Sequence, residues 1–189
     1  MLTKAKLRDA FDLYFNEMAE CATARTYWSL LHIVVCVPDI CGALGSEDGE
    51  ATGKKFIDRC NRFLADEMLS GVDWYQMRCK VLHQGRTTPD KSPYDNFVFG
   101  QPASDGTSDH RRVDGAAIHL DVGKLAEEVR AAIDRWFDDL SKNPSNPEAV
   151  NVEKNLGSLV KVHPAAIPVP AETPGSIPGL VVVNKTSSL

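Results

Sequence analysis

A chain of 189 residues is long enough for one well-buried domain and short for two. With 43% hydrophobic and 25% charged residues it has the composition of an ordinary soluble globular protein, which excludes a fibrous or wholly disordered chain. The net charge of -5 and a pI near 5.5 argue against a broadly basic surface for non-specific nucleic-acid or anionic-membrane binding, while leaving room for a small basic pocket.

Met1 to Arg8 lacks the apolar run of a signal peptide. Thr3 is the expected N-cap of a first helix reaching about Ala22, since Leu7, Phe11, Tyr14, Phe15 and Met18 recur at three-and-four spacing. A second helix, Thr26 to Leu44, is apolar nearly all round and is expected to sit at the centre of the fold. His32, Pro38 and Asp39 interrupt it, so a buried helix is expected rather than a membrane span, with Pro38 kinking or restarting it. A polar turn from Gly45 to Gly49 leads to a third helix over 50–68, with Phe56, Ile57, Cys60, Phe63, Leu64 and Met68 facing inward. A fourth, Val72 to Gln84, is closed by Gly85, a residue common just past a helix end.

From Arg86 to Gly115 proline, glycine, serine and aspartate dominate. Two strand-like runs, Asn96–Phe99 and Ala116–Leu120, are expected to pair as a small hairpin-like insertion. Asp121 then caps the cleanest helix, whose stripe is Val122, Leu125, Val129, Ile133, Trp136, Phe137 and Leu140. After Asn143 the pattern dissolves, and five of the eleven prolines fall between His163 and Gly179, where neither helix nor sheet can run. The expected organisation is therefore a mostly α bundle of about five helices over 1–142, with an insertion at about 86–120. A flexible proline-rich tail over 143–189 follows, in which Leu180–Val183 is the one run able to dock as a strand.

Cys21, Cys36, Cys41, Cys60 and Cys79 are odd in number and lie mostly in apolar stripes, without the paired spacing of a zinc site. Reduced thiols in a cytoplasmic protein without membrane association are the expectation. The segment Gly49 to Lys55 is no phosphate-binding loop, being one residue short between its glycines and lacking serine or threonine after the lysine. Arg111 and Arg112, next to His110 in the insertion, are a candidate phosphate contact, with an exposed flexible loop as the expected reading.

The chemistry concentrates at Arg78 and His83, late in the fourth helix. Trp74, Met77, Val81 and Leu82 cluster on one side, extended by Tyr75 and Cys79, and Arg78 falls near the centre of that face. A guanidinium there is costly unless paired. His83 lies roughly 140° round from it, at about 100° per residue, so the two meet only at the helix end or across a two-fold axis.

An arginine and a histidine four to six residues apart at the end of a bundle helix resemble the signature of the HEPN superfamily. The likeness covers the four helices of residues 3–85, with 122–140 as an added fifth. It implies a homodimer that sets two such elements face to face, and in active relatives a metal-independent ribonuclease without cofactor, often a toxin held by an antitoxin protein or an antiviral effector. Other relatives are inactive or bind nucleotides only. Under this resemblance Arg78 grips a phosphate and His83 moves a proton, with Asp39 and Cys79 in supporting positions. Ribonuclease members usually carry a polar residue, often asparagine, where this chain has Cys79, a weaker hydrogen-bonding group. The same loose spacing recurs at Arg25–His32 and Arg112–His119. Two other readings stand beside it. Arg78 pairs with Asp39 for structure while His83 caps its own helix, giving a non-catalytic dimerisation or partner-binding module. Alternatively Cys79 and His83, about 40° apart, form a thiol–imidazole pair, although cysteines in apolar stripes are usually filling.

Overall fold

The computed structural model describes residues 2–102 and 107–160. Within them lie α1 (Lys4–Thr23), α2 (Tyr27–Leu44), α3 (Gly53–Phe63) and α4 (Gly71–Gln84). After these come β1 (Asn96–Gly100), β2 (Val113–Asp114), β3 (Ala117–Asp121), α5 (Val122–Lys142), α6 (Pro147–Asn155) and a closing 3-10 turn, Leu156–Ser158. The fold is mostly α, a helical bundle with a small sheet.

Local chemistry sets the starts of most helices. The Thr3 hydroxyl accepts from the Lys6 N–H, Thr52 from Lys55, and Asp121 from both Gly123 and Lys124. Ser70 and Asp73 cap α4 reciprocally. Each such cap stabilises its helix by about 1 kcal/mol.

The core forms around α2, which packs on α1, α3, α4 and α5. Phe11 and Phe15 of α1 meet Phe137 of α5, with the Phe11 and Phe137 centroids 5.2 Å apart and nearly edge-to-face. Although α2 has a mean hydropathy of 1.6, high enough for a membrane span by length and composition, half of it is buried inside the bundle. Its opposite side shows Trp28, which is 60% exposed, and half-buried Ile33, Cys36, Asp39 and Ile40. Pro38 does not restart the helix. The helix runs from Tyr27 to Leu44 with the proline ring buried, its lost backbone bond offset by core packing on that side.

Two glycines set how the helices run. Gly42 of α2 lies against Lys55 of α3, while Pro38 and Cys41 share a small cavity with Arg59, so α2 and α3 are antiparallel. Gly71 of α4 lies against Ile57 and Asn61, and Tyr75 against Phe56, so α3 and α4 are antiparallel too. Hence α2 and α4 run the same way, side by side. A Cβ at Gly71 would stand 2.4 Å from the Ile57 carbonyl oxygen and 2.6 Å from the Asn61 oxygen that accepts the Gly71 N–H. Gly71→Ala is therefore expected to cost about 3 kcal/mol through forced backbone separation. Urea denaturation measures it, and an unchanged midpoint would show that the approach is not needed.

The expected third helix over 50–68 is shorter, ending at Phe63. The chain then turns, with the Asp66 carboxylate accepting from the Met68 and Leu69 N–H groups. The two expected strands do not form a hairpin. Asn96–Gly100 pairs parallel with Ala117–Asp121, and the hairpin is made by β2 and β3 around Gly115, whose φ is +60. Two residues of exposed β2 are too short to announce themselves as a strand. Phe97, Ile118 and Leu120 anchor the sheet in the core.

The dissolving pattern after Asn143 also gives way to structure, because α6 occupies Pro147–Asn155. Asn146 caps it with Pro147 at the first position, and Ala149, Val152 and Leu156 are buried. Its polar side chains complete the end of α2. Asn151 donates to the Gly45 carbonyl, Asn155 to those of Leu44 and Ser46, and Lys154 to that of Glu47. The prolines between His163 and Gly179 and the run Leu180–Val183 lie outside the described residues.

Candidate functional site

On α4 the buried side runs through Trp74, Met77 and Val81, flanked by Asp73, Gln76 and Lys80. Arg78 is not at the centre of that buried face but at its margin, turned toward α2. The long apolar residues Tyr75 and Leu82, with Cys79, are only half-buried.

The placement of α2 beside α4 brings Asp39 to the guanidinium. Asp39 Oδ2 accepts from Arg78 Nη2 at 2.6 Å and from Nε at 3.1 Å. The remaining nitrogen, Nη1, donates to His83 Nε2 at 2.8 Å. Side-chain exposure is 22% for Arg78 and 20% for Asp39, while His83 is exposed. Asp39, Arg78 and His83 are thus joined within one chain, and the convergence occurs at the helix end. The side chain of Arg78 is long enough to span the angle that separates the residues on an ideal helix. A guanidinium only donates, so Nε2 is the acceptor and the imidazole proton sits on Nδ1 in this arrangement.

Burial works against the charge on Arg78, yet the hydrogen bond and charge of Asp39, helped by Cys79, raise its pKa above the ordinary value. The Cys79 thiol, one turn along α4, also holds the Tyr75 phenol above its usual range. The Cys36 thiol, on the α2 side of the pair, is pushed up by burial, with Arg78 opposing. His83 does not cap its own helix. That role falls to the backbone of Gly85, in the left-handed region at φ +58, and of Arg86, both donating to the Lys80 carbonyl.

Removing the Asp39 carboxylate takes two of Arg78's hydrogen bonds away at once. Asp39→Ala is expected to cost about 1–3 kcal/mol, and the same loss should largely vanish in the Arg78→Ala background. A double-mutant cycle on thermal unfolding measures the coupling. Independent effects would mean that the pair contributes nothing.

Sequence reasoning missed the other polar row of α4. Asp73 accepts from the Ser92 hydroxyl at 2.6 Å, Gln76 from the Asp90 N–H at 3.0 Å, and Lys80 donates to the Asp90 carboxylate at 2.7 Å. These bonds fold residues 90–92 back along the helix. The spacing 73, 76, 80 was visible, but a polar row reads as a solvated face unless its loop is known.

The expected exposed loop at His110–Arg112 is corrected in part. Arg111 is largely buried, at φ +66, with its guanidinium on Asp66 at 2.5 Å and Glu128 at 2.9 Å. His110 accepts the Asp121 N–H and shares Glu128. This cluster clamps the insertion to α5 and the α3–α4 turn, whereas Arg112 stays exposed with Asp109. All five cysteines are free thiols. Among the described residues no three His, Cys, Asp or Glu side chains gather as a metal would need.

Fold and site together define a helical bundle carrying an aspartate–arginine–histidine chain on one face. The sequence and structure match no protein-family model, no curated protein and no solved structure.

Proposed function

We propose that this protein is an RNA-cleaving or RNA-binding homodimer of the HEPN type, working without a metal through Arg78 and His83. One observation carries the reading: Asp39 holds two nitrogens of the guanidinium, and the third rests on an exposed imidazole rather than on a second buried acceptor. A phosphodiester arriving there competes for Nη1 as an anion, and winning it frees His83 Nε2. The ribose 2′-hydroxyl then gives its proton to Nε2 and its oxygen attacks phosphorus. The 5′-oxygen leaves with a proton returned by an imidazole, producing a 2′,3′-cyclic phosphate and a 5′-hydroxyl. Arg78 stabilises the charge gathering on the phosphoryl oxygens, and Asp39 keeps it aimed.

The half-exposed apolar side chains beside the pair, Cys36 and Ile40 on α2 with Cys79 and Leu82 on α4, suit the face for a second copy. In such a dimer one histidine serves as base and its twin as acid. An antitoxin protein is the further partner if the chain acts as a toxin.

The second reading, a non-catalytic dimerisation or partner-binding module, is favoured by the same Asp39 pair, which is also what a structural arginine would make. Purified protein incubated with RNA in EDTA, beside the Arg78→Ala, His83→Ala double variant, separates the two. Loss of RNA with the wild type alone supports catalysis, and equal traces retire it.

A further inference from the structure

We infer that two copies of the chain pack their α2 helices antiparallel about a two-fold axis at Cys36, which sets the partner's His32 against Asp39. The inference takes only the homodimer from the reading above and refines it. The imidazole that a second copy brings to the aspartate–arginine pair is then His32 rather than His83.

A helix with a mean hydropathy of 1.6 is only half buried inside one chain, whereas a helix apolar nearly all round is normally covered all round. Along the open side of α2, Trp28, His32, Cys36, Asp39 and Ala43 recur at intervals of four, four, three and four residues. At about 100° per residue they fall within an arc of about 80°. Trp28 is 60% exposed, and the other four are half-buried. Such a stripe has the spacing of a helix–helix seam.

Self-complementarity identifies the occupant as a second copy. A two-fold axis perpendicular to α2 reverses the partner, so residues equally far from the axis meet. Asp39 and His32 stand three and four residues to either side of Cys36, about 5 Å each along the helix, and so face each other twice. They are the one acid and the one imidazole of the stripe, and both have hydrogen-bonding capacity to spare. Asp39 engages Arg78 through Oδ2 alone. His32 Nδ1 donates to the Trp28 carbonyl at 2.8 Å, and among the described residues Nε2 has no partner. Trp28, eight residues before Cys36, meets Ala43, seven residues after it, so the indole that His32 braces at 4.4 Å lies opposite a small side chain. Base on acid, large on small and thiol on thiol all match about one axis. A lipid surface or an unrelated helix would not call for that symmetry.

Sedimentation equilibrium of the full chain gives its mass, and mild oxidation with diamide followed by peptide mapping shows which cysteines pair between copies. A dimer linked through Cys36 to Cys36 is expected, since Cys21 and Cys79, the other half-buried thiols, lie away from the axis. His32→Glu should raise the dimer Kd about 100-fold by setting two carboxylates together at both contacts, while His32→Arg should stay within about threefold of the wild type. Both variants are checked for an unchanged melting temperature. A monomeric wild type overturns the inference, as does a dimer linked through Cys79 or Cys21 or one that gives no Cys36 link. So does a His32→Glu variant as dimeric as the wild type. None of these readouts involves RNA, so the α2 contact can stand where the ribonuclease reading falls, and a monomer that cleaves RNA removes the contact alone.

Discussion

If the chain cleaves RNA as proposed, His83→Ala is expected to slow that cleavage by about 10²–10⁴-fold, the span that a positioned proton-transfer group contributes. The argument is geometric. In the folded chain Nε2 is held by Arg78 Nη1 at 2.8 Å, so its lone pair points at the cationic centre where a phosphate would dock. His83→Gln sharpens the test, because an amide oxygen can still accept from Arg78 yet cannot take up a proton at neutral pH. Glutamine should therefore be as inactive as alanine if the imidazole moves a proton, and nearly normal if it merely props the arginine. Arg78→Lys should fall between wild type and Arg78→Ala. An ammonium keeps the charge but cannot present the planar fork that serves Asp39 on one edge and an oxyanion on another. Replacing the scissile-site ribose with 2′-deoxyribose removes the nucleophile and should stop the reaction even with the wild type. The readouts are initial rates in EDTA and the end groups of the products. Cleavage that persists undiminished in His83→Ala, or that proceeds at a deoxy site, would remove these residues from the chemistry.

How much of this was legible beforehand varied with the kind of signal. Helix starts at Thr3 and Asp121, and the stop at Gly85, were readable because capping is local: a hydroxyl or carboxylate three residues before the groups it satisfies, or a glycine where φ is positive. The pairing of Asp39 with Arg78 was anticipated because a guanidinium in an apolar stripe demands a partner and α2 holds one carboxylate. The exposed margin occupied by Arg78 was not. Periodicity locates a stripe, but which edge is open depends on the neighbours, and the parallel course of α2 and α4 was set by glycine contacts invisible in one dimension. Strand pairing failed for the same reason, since Asn96–Gly100 and Ala117–Asp121 look alike whether parallel or antiparallel. Helix α6 was missed because its buried face is three small or medium residues, Ala149, Val152 and Leu156, amid asparagines that look like loop. Those asparagines cap α2, a tertiary role that no local pattern encodes.

The same helix leads to the largest expected loss of stability. Glu148 sits at the start of α6 with its carboxylate 18% exposed, accepting from Arg59, from Trp136 Nε1 at 2.9 Å and from Arg62 at 3.1 Å. Arg59 is itself largely enclosed, its guanidinium 4.5 Å over the Trp136 ring. Glu148→Ala leaves that cation buried without its carboxylate and the indole N–H without an acceptor, at an expected cost of about 3–5 kcal/mol. The loss should propagate, since α6 would no longer be held where Asn151 and Asn155 close the end of α2. Glu148→Gln preserves shape and one acceptor and should lose less. The pH dependence has a definite sign. Burial pushes the Glu148 carboxyl up, but Arg59, then Trp136 and Arg62, pull it down further, so the net direction is below the ordinary glutamate value. A group depressed in the folded state contributes stability above its unfolded pKa, about 4.3, and loses it as pH falls through the folded value. Wild-type unfolding free energy should therefore decline below about pH 4.3 more steeply than that of Glu148→Ala, since the variant lacks this proton uptake. Asp138, lowered by Lys4, adds to the slope in both proteins and cancels in the comparison. Urea midpoints from neutral to acid pH measure the difference, and parallel acid limbs for wild type and variant would show that Glu148 does not carry this linkage.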